Sequence, residues 1–318
     1  MRIVPETAIR AAIGPAEALA SAESAFSALA RGQVELPPPM ALEVPAVAGE
    51  VHVKSAYLKG APIFAVKIAT GFYRNAERGL ATGSGLVVVF DAETGFPSLL
   101  LDDRGYLTDL RTAAAGVLAA RLLAAESIAS VAVLGSGVQA RHQVEALAQV
   151  RRWERTRVWS RSPERLRSYC SELAGQYGIP FTPAGSPDEA VRGADLLITT
   201  TPSRLPLFQA DSLAPHATVI AVGSDGPEKR ELPTGAMLRA DKIVVDKMSQ
   251  CLRLGELHHP VHEGVLQVSD VHAELGDVLI GNASGREGNE LIICDLTGVG
   301  AQDAAIAQAA WEKLGTVG

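Results

Sequence analysis

The period of the hydrophobic positions changes along the chain, and each change predicts a different kind of structure. From about Glu6 to Arg31, Ala and Leu recur at helical spacing, and Pro15 suits the first turn of a second helix beginning near Gly14. From Leu36 to about Phe90 the pattern shortens to runs such as VHVKSAYL, FAVKIATGF and GLVVVF, separated by Gly, Pro, Asn and Asp, which predicts strands. An alanine-dense stretch from Thr108 to Ala125 reads as a helix, with Thr108 and Asp109 as N-cap candidates and Arg111 in its first turn. Beyond Ser130 strand and helix alternate. VAVL, RTRVWS, ADLLITTT, ATVIAVG and KIVVD are apolar strands, while RHQVEALAQV and SPERLRSYCSELAGQ are helices between them. Such alternation requires a parallel sheet with helices on both faces, wound by right-handed crossovers. A last amphipathic helix, about Asp303 to Leu314, is predicted to pack back on the first half. The expected fold class is α/β: a Rossmann-type doubly wound parallel sheet over residues 121–302, and a strand-rich α+β domain split between the termini, residues 1–120 with 303–318.

Composition narrows the functions this fold can carry. In 318 residues, 47% are hydrophobic and 20% charged, enough for two cored domains. A formal net charge of -7 gives no global attraction to nucleic acid or anionic membrane, so an anionic ligand needs a local cation cluster. Pro5, Glu6 and Arg10 interrupt the N-terminal apolar residues, and no uncharged run reaches the length of a membrane span. Cys170, Cys251 and Cys294 stand far apart without a CxxC pair, which points to a reducing compartment and a cytoplasmic protein.

The densest chemical motif is Gly135-Ser136-Gly137-Val138-Gln139-Ala140, a GxGxxA that follows VAVL and opens a helix. Gly135 permits the tight turn, Gly137 admits a pyrophosphate to the backbone, and Ala140 lets helix and strand pack closely. The helix N-terminus then offers free amide donors to the phosphates. Where an NAD-selective site carries an acidic residue about 20 residues on, this chain has Ser160-Arg161-Ser162. A guanidinium flanked by hydroxyls suits a 2′-phosphate, or else stacks on adenine and discriminates weakly; the expected cofactor is NAD(P)H.

With these motifs in order, the chain resembles the ornithine cyclodeaminase/mu-crystallin family. The resemblance spans nearly the whole length: VKIATGF (66–72), LTDLRTAAA (107–115), LGSGVQA (134–140), AVGSD (221–225) and AELGDV (273–278). It implies a homodimer whose split domain supplies dimer contacts and substrate residues, with Lys67 and Arg111 on the substrate carboxylate, Thr112 at the cofactor, and Asp225 as acid/base or amine-binding group. Where many members carry an Arg, this chain has Met40, so one carboxylate ligand of the ornithine enzymes is missing. Lys54 and Arg74 are candidate replacements, and VHVKSAY with LLLDDRGYLTDLRTAAAG looks closer to the ectoine-utilisation and imine-reductase branches.

Hydride transfer to an imine needs the carbon held against the nicotinamide and the carboxylate fixed by cations. Arg111 suits a bidentate grip, and Lys67 either grips or gives a proton, because a desolvated lysine shifts readily. Asp225 lies where a doubly wound sheet presents side chains to a ligand, or else is a turn residue of SDGPEK. Lys54 and Arg74 are either ligands or snorkelling surface residues. Thr297, beside Asp295 at the end of the last apolar strand, is a cofactor neighbour, and Glu274 either supports the cofactor loop or terminates a helix. His258, His259 and His262 read as a surface loop rather than a metal site, since Pro260 interrupts helical ligand geometry. Four cations in one pocket would balance a dicarboxylic substrate. The expectation is therefore NAD(P)H-dependent reduction of a small 2-imino acid to an L-amino acid, with iminosuccinate to aspartate as the best guess. A cyclodeaminase using bound NAD and a mu-crystallin-like binding protein are the alternatives.

Overall fold

In the computed structural model, residues 1–315 are described, and they divide into two compact units. The predicted first domain extends to residue 318, so its last three positions lie outside the described residues. The first unit comprises Met1–Ala114 with the chain from Val299 onward, and the second is Ala115–Gly298.

The first unit opens with β1 (Arg2–Pro5), α1 (Glu6–Ala12) and α2 (Pro15–Ala30). Pro15 occupies the first turn of α2, and the Glu17 carboxylate accepts the amide of Gly14 at 2.9 Å, which fixes the start of that helix. β2 (Val34–Glu35), β3 (Met40–Val44), β4 (Gly49–Leu58), β5 (Ile63–Phe72), β6 (Gly83–Asp91) and β7 (Pro97–Asp102) follow. They form one sheet in the order β1-β7-β6-β5-β4-β2, with β3 also paired to β4, antiparallel except where β1 joins β7. One face packs against helices: Ala56, Ala65, Val87, Val89, Leu99 and Leu101 are buried, and α11 (Gly300–Leu314) lies on β4 and β5. Residues of the opposite pleat are also apolar. Val53, Ile68 and Leu86 stand in register across three strands, as do Val66, Val88 and Leu100, and Phe64 stacks on Phe90 at 4.9 Å; all stay partly exposed.

α3 (Tyr106–Leu123) begins earlier than the sequence predicts. Asp103, rather than Thr108 or Asp109, caps it by accepting the amide of Leu107 at 2.7 Å, so Arg111 sits in the second turn and not the first.

The second unit contains β8 (Ser130–Leu134), α4 (Val138–Val150), β9 (Arg155–Trp159), α5 (Pro163–Tyr177), β10 (Phe181–Pro183), α6 (Pro187–Val191), β11 (Leu196–Thr199), β12 (Thr218–Ala221), α7 (Thr234–Arg239), β13 (Lys242–Val245), α8 (Met248–Cys251), α9 (Gly255–His262), β14 (Ala273–Glu274), α10 (Leu275–Leu279) and β15 (Ile292–Asp295). Its eight strands are all parallel, in the order β10-β9-β8-β11-β12-β15-β13-β14. The central strands read as continuous apolar runs because both faces are covered: every residue of β8, β11, β12 and β15 is buried. Strand order reverses between β8 and β11, the switch point at which such sheets bind ligands beyond their carboxyl ends.

One expectation fails here. His258, His259 and His262 belong to α9, not a surface loop, and Pro260 lies inside that helix. The buried Leu257 and Pro260, with the Asp295 carboxylate accepting the Leu257 amide at 2.9 Å, hold the short helix despite the proline. Among the described residues, no helix is long and apolar enough to cross a membrane.

Candidate functional site

In the first unit, the helix-covered sheet face turns from apolar to charged at one cross-strand pair, Lys54 of β4 opposite Lys67 of β5. Arg111 arrives from α3 and Asp303 from α11. All four are buried, with exposures of 4%, 2%, 5% and 2% in that order. Asp303 divides its carboxylate: Oδ1 accepts Arg111 Nε at 2.9 Å and Oδ2 lies 3.3 Å from Lys67 Nζ. Burial lowers the Lys67 ammonium to about 7; Asp303 opposes that shift, while Arg111 and Lys54 reinforce it. For Asp303, burial alone would raise the carboxyl, but Arg111, Lys67 and Lys54 outweigh it and hold it below its ordinary value. Lys67 and Arg111 thus share one carboxylate, which leaves one positive charge between them while Lys67 is protonated. Unbalanced buried charge is costly, and an anionic ligand offsets it.

The approach of α11 depends on Gly300, where a Cβ would lie 2.6 Å from the Ser55 carbonyl oxygen of β4. Gln302 then bonds the Arg111 carbonyl through Nε2 at 3.3 Å and accepts the Val299 amide at 3.0 Å. Asp303 was absent from the predicted site because its own helix gives no hint of a partner 192 residues away. The available signal was a carboxylate on the buried side of a helix otherwise rich in alanine.

Arg74 does not join this cluster. It is exposed beyond the end of β5 and donates to the Ala46 carbonyl at 3.0 Å, so its grouping with Lys54, Lys67 and Arg111 is corrected. Met40, on the outer strand β3, is 58% exposed. Thr112 donates to the Thr108 carbonyl one helical turn back at 2.7 Å.

In the second unit, the glycine motif forms the predicted strand-turn-helix. Gly135 has φ +123, and a Cβ there would collide with Thr200 Oγ1, so only glycine fits. Gly137 caps α4 without a side-chain bond, and a Cβ there would meet open space, so the helix start is open on that side. An uncapped helix start behind a glycine turn fits a pyrophosphate. Ser136 and Ser160 share a hydrogen bond of 2.9 Å, Ser160 also bonds the Ser162 carbonyl, and Ser162 caps α5. Beside them lies a cleft of about 530 Å³ lined by Trp159, Ser160, Arg161, Arg167, Ala184 and Gly185. Arg167 was missed because its direction depends on the phase of α5, which Pro163 and Ser162 set.

Asp225 follows β12 and lies 2.6 Å from Lys229 Nζ, in a loop where Ser224 and His259 both bond the Lys229 carbonyl. Thr297 is 2% exposed, and its hydroxyl bonds Asp246 and Gln250, so it braces a loop instead of presenting a ligand. Glu274 bonds Lys247 at 2.7 Å and the Met248 amide at 2.9 Å. Sequence reading missed Glu231 and Glu256. Glu231 accepts Thr199, Thr201 and Gly223, and Glu256 accepts the amides of Glu231 and Leu232. Burial raises Glu231 to about 7, and burial with the charges of Glu231 and Asp295 raises Glu256 well above the carboxylate range.

The fold is shared with known proteins. The ornithine cyclodeaminase/mu-crystallin family profile matches residues 4–316. The chain superposes on an archaeal alanine dehydrogenase dimer with bound NAD at a TM-score of 0.91 and 34% identity, covering 98% of this chain and 95% of that one. The Delta(1)-pyrroline-2-carboxylate reductase of Thermococcus litoralis, in complex with NADH and L-proline, gives 0.92 at 29% identity, covering 98% and 97%. The iminosuccinate reductase of Paracoccus denitrificans, in complex with NAD+, gives 0.88 at 30%, covering 98% and 95%.

Proposed function

Because the chain belongs to the ornithine cyclodeaminase/mu-crystallin family, we propose that it reduces a small 2-imino acid carrying one carboxylate to the corresponding L-amino acid, with NAD(P)H as reductant. Its relatives are NAD-dependent reductases and dehydrogenases acting on C=N or CH–NH2 bonds, and the chain is an enzyme of that class. The observation that carries the substrate reading is the buried group of Lys67, Arg111 and Asp303, in which two cations share one carboxylate and the remaining positive charge matches a substrate carboxylate.

When bound, the dinucleotide supplies the hydride; Gly135, Gly137 and the start of α4 hold its pyrophosphate. Arg111 presents its terminal guanidinium nitrogens to the substrate carboxylate, since Nε is spent on Asp303. Lys54 adds charge at the same pole. Lys67 Nζ, lowered to about 7, gives a proton to the imine nitrogen, which makes the carbon electrophilic. Asp225, beside Lys229, orients the substrate nitrogen. Arg161 and Arg167, both exposed at the cleft, suit a 2′-phosphate, so NADPH is accepted as well as NADH. Three free, buried cysteines support a reducing, cytoplasmic setting. The apolar outer face of the first sheet supports a homodimer closed by a second copy of this chain.

The charge count argues against a second substrate carboxylate. With Arg74 removed and Asp303 set against Lys67 and Arg111, one positive charge remains between those two cations and calls for one carboxylate, so iminosuccinate becomes one member of a substrate panel. The test follows NADH and NADPH oxidation with pyrroline-2-carboxylate, and with pyruvate, glyoxylate or oxaloacetate plus ammonia or methylamine. Oxidation with monocarboxylic imines supports the reading. Oxidation confined to oxaloacetate plus ammonia overturns the monocarboxylate assignment, and ammonia release from ornithine without imine reduction replaces it with the cyclodeaminase.

A further inference from the structure

We propose that Asp303 is a positioning residue that keeps Lys67 able to carry a proton near neutrality and fixes its spacing from Arg111. The inference rests on the reading above, in which these two side chains handle an imino acid. The charged groups around Lys67 Nζ are Lys54 from β4, Arg111 from α3 and Asp303 from α11. Without Asp303, a fully buried ammonium would face only like charges, and loss of its proton would relieve both burial and repulsion. One carboxylate serves both partners, Oδ1 accepting Arg111 Nε at 2.9 Å and Oδ2 forming an ion pair with Lys67 Nζ at 3.3 Å without a hydrogen bond, so donor and grip are spaced across one planar group. Using the Nε edge leaves the terminal nitrogens of Arg111 to form the fork that a carboxylate needs. The mounting is stiff: Gly300 seats α11 on β4, and Gln302 bonds the backbone at Arg111. A substrate carboxylate entering the cluster adds negative charge and strengthens the hold of Lys67 on its proton, so substrate binding loads the donor.

The test uses the full chain labelled with 13C at lysine Cε. The Lys67 resonance, assigned by its loss in Lys67→Met, reports protonation directly. In Asp303→Asn, nearly the same shape without the charge, the Lys67 midpoint falls by at least about one pH unit, and the high-pH limb of kcat for imine reduction moves down with it. Asp303→Glu, which keeps the charge and displaces it by a methylene, restores the midpoint while kcat/KM stays at least about fivefold below wild type. An unmoved Lys67 midpoint in Asp303→Asn overturns the proposal. Should Asp303→Asn fail to fold, Asp303→Glu decides alone, and full kcat/KM in that variant overturns it. If the wild type reduces no imine, the reduction reading fails by itself, while the resonance still decides the role of Asp303.

Discussion

Two buried charge clusters, one in each unit, are built on opposite rules. In the first unit Lys67 and Arg111 share a single carboxylate, the signs do not cancel, and the terminal nitrogens of Arg111 remain beyond its bond to Asp303. In the second unit Glu231, Glu256, Asp246 and Asp295 lie near one another at the carboxyl ends of the parallel strands, and backbone amides and hydroxyls donate to them. In the proposed reading the first arrangement is completed by the substrate carboxylate. The second is a brace: each acid ties one loop to the next, from Thr199 through Gly223 to Glu256 and the start of α9. Buried charge therefore marks a ligand site only where its neighbours leave it unbalanced.

Removing the fork should have the largest effect. Arg111→Met is expected to lower kcat/KM for a monocarboxylic imino acid about 10²- to 10³-fold, because a bidentate charged contact is lost and Asp303 keeps one partner fewer. Binding of NADH, measured by fluorescence titration, should stay within about twofold if the two units divide the ligands as proposed. A parallel loss of cofactor binding would collapse the division.

The acidic brace should answer to pH in stability rather than in turnover. Glu231 is raised from 4.5 to about 7, so between those values the folded chain keeps a proton that the unfolded chain has lost. Stability must then fall as pH rises through that window and level off above it, by up to about 3 kcal/mol from this group. Lys67 has the opposite sign: lowered from 10.5 to about 7, it makes stability rise between about 7 and 10.5, where the unfolded chain still holds a proton that the folded chain has released. Urea unfolding of Glu231→Gln between about pH 5 and pH 8 should show a flatter profile than wild type. An unchanged slope would mean that Glu231 does not titrate in the folded chain.

Smaller effects sharpen the map. Arg161→Ala should raise KM for NADPH about tenfold and that for NADH by less than about twofold, as one guanidinium is lost from a 2′-phosphate but not from a diol. Equal changes for both cofactors would favour adenine stacking. Arg74→Ala, exposed and bonded to a backbone carbonyl, should leave kcat/KM within about twofold of wild type.

Legibility in the sequence followed the range of the interactions. The glycine turn, the parallel alternation and the Gly14–Pro15 helix start are local, and all three appear as the spacing predicts. Lys67 and Arg111 were readable through family motifs. Asp303 was not, since its meaning comes from partners on β5 and α3. Arg74 misled because adjacency to a motif in sequence ended, at the turn after Phe72, in solvent. The start of α3 was misplaced because Asp103, three residues before the first helical position, out-competed Thr108 as cap. Pro260 was read as a breaker, yet tertiary burial of Leu257 and Pro260 overrode its local penalty.

The most direct test of the central claim compares an imine with and without its carboxylate. The kcat/KM for NADH-dependent reduction of pyrroline-2-carboxylate is measured against that for 1-pyrroline, in wild type and in Arg111→Met. If Lys54, Lys67 and Arg111 take the substrate carboxylate, the wild type prefers the carboxylate-bearing imine by at least about 10³-fold, and Arg111→Met loses most of that preference while changing little toward 1-pyrroline. Comparable rates on the two imines in the wild type, or a preference that survives Arg111→Met intact, would contradict the account.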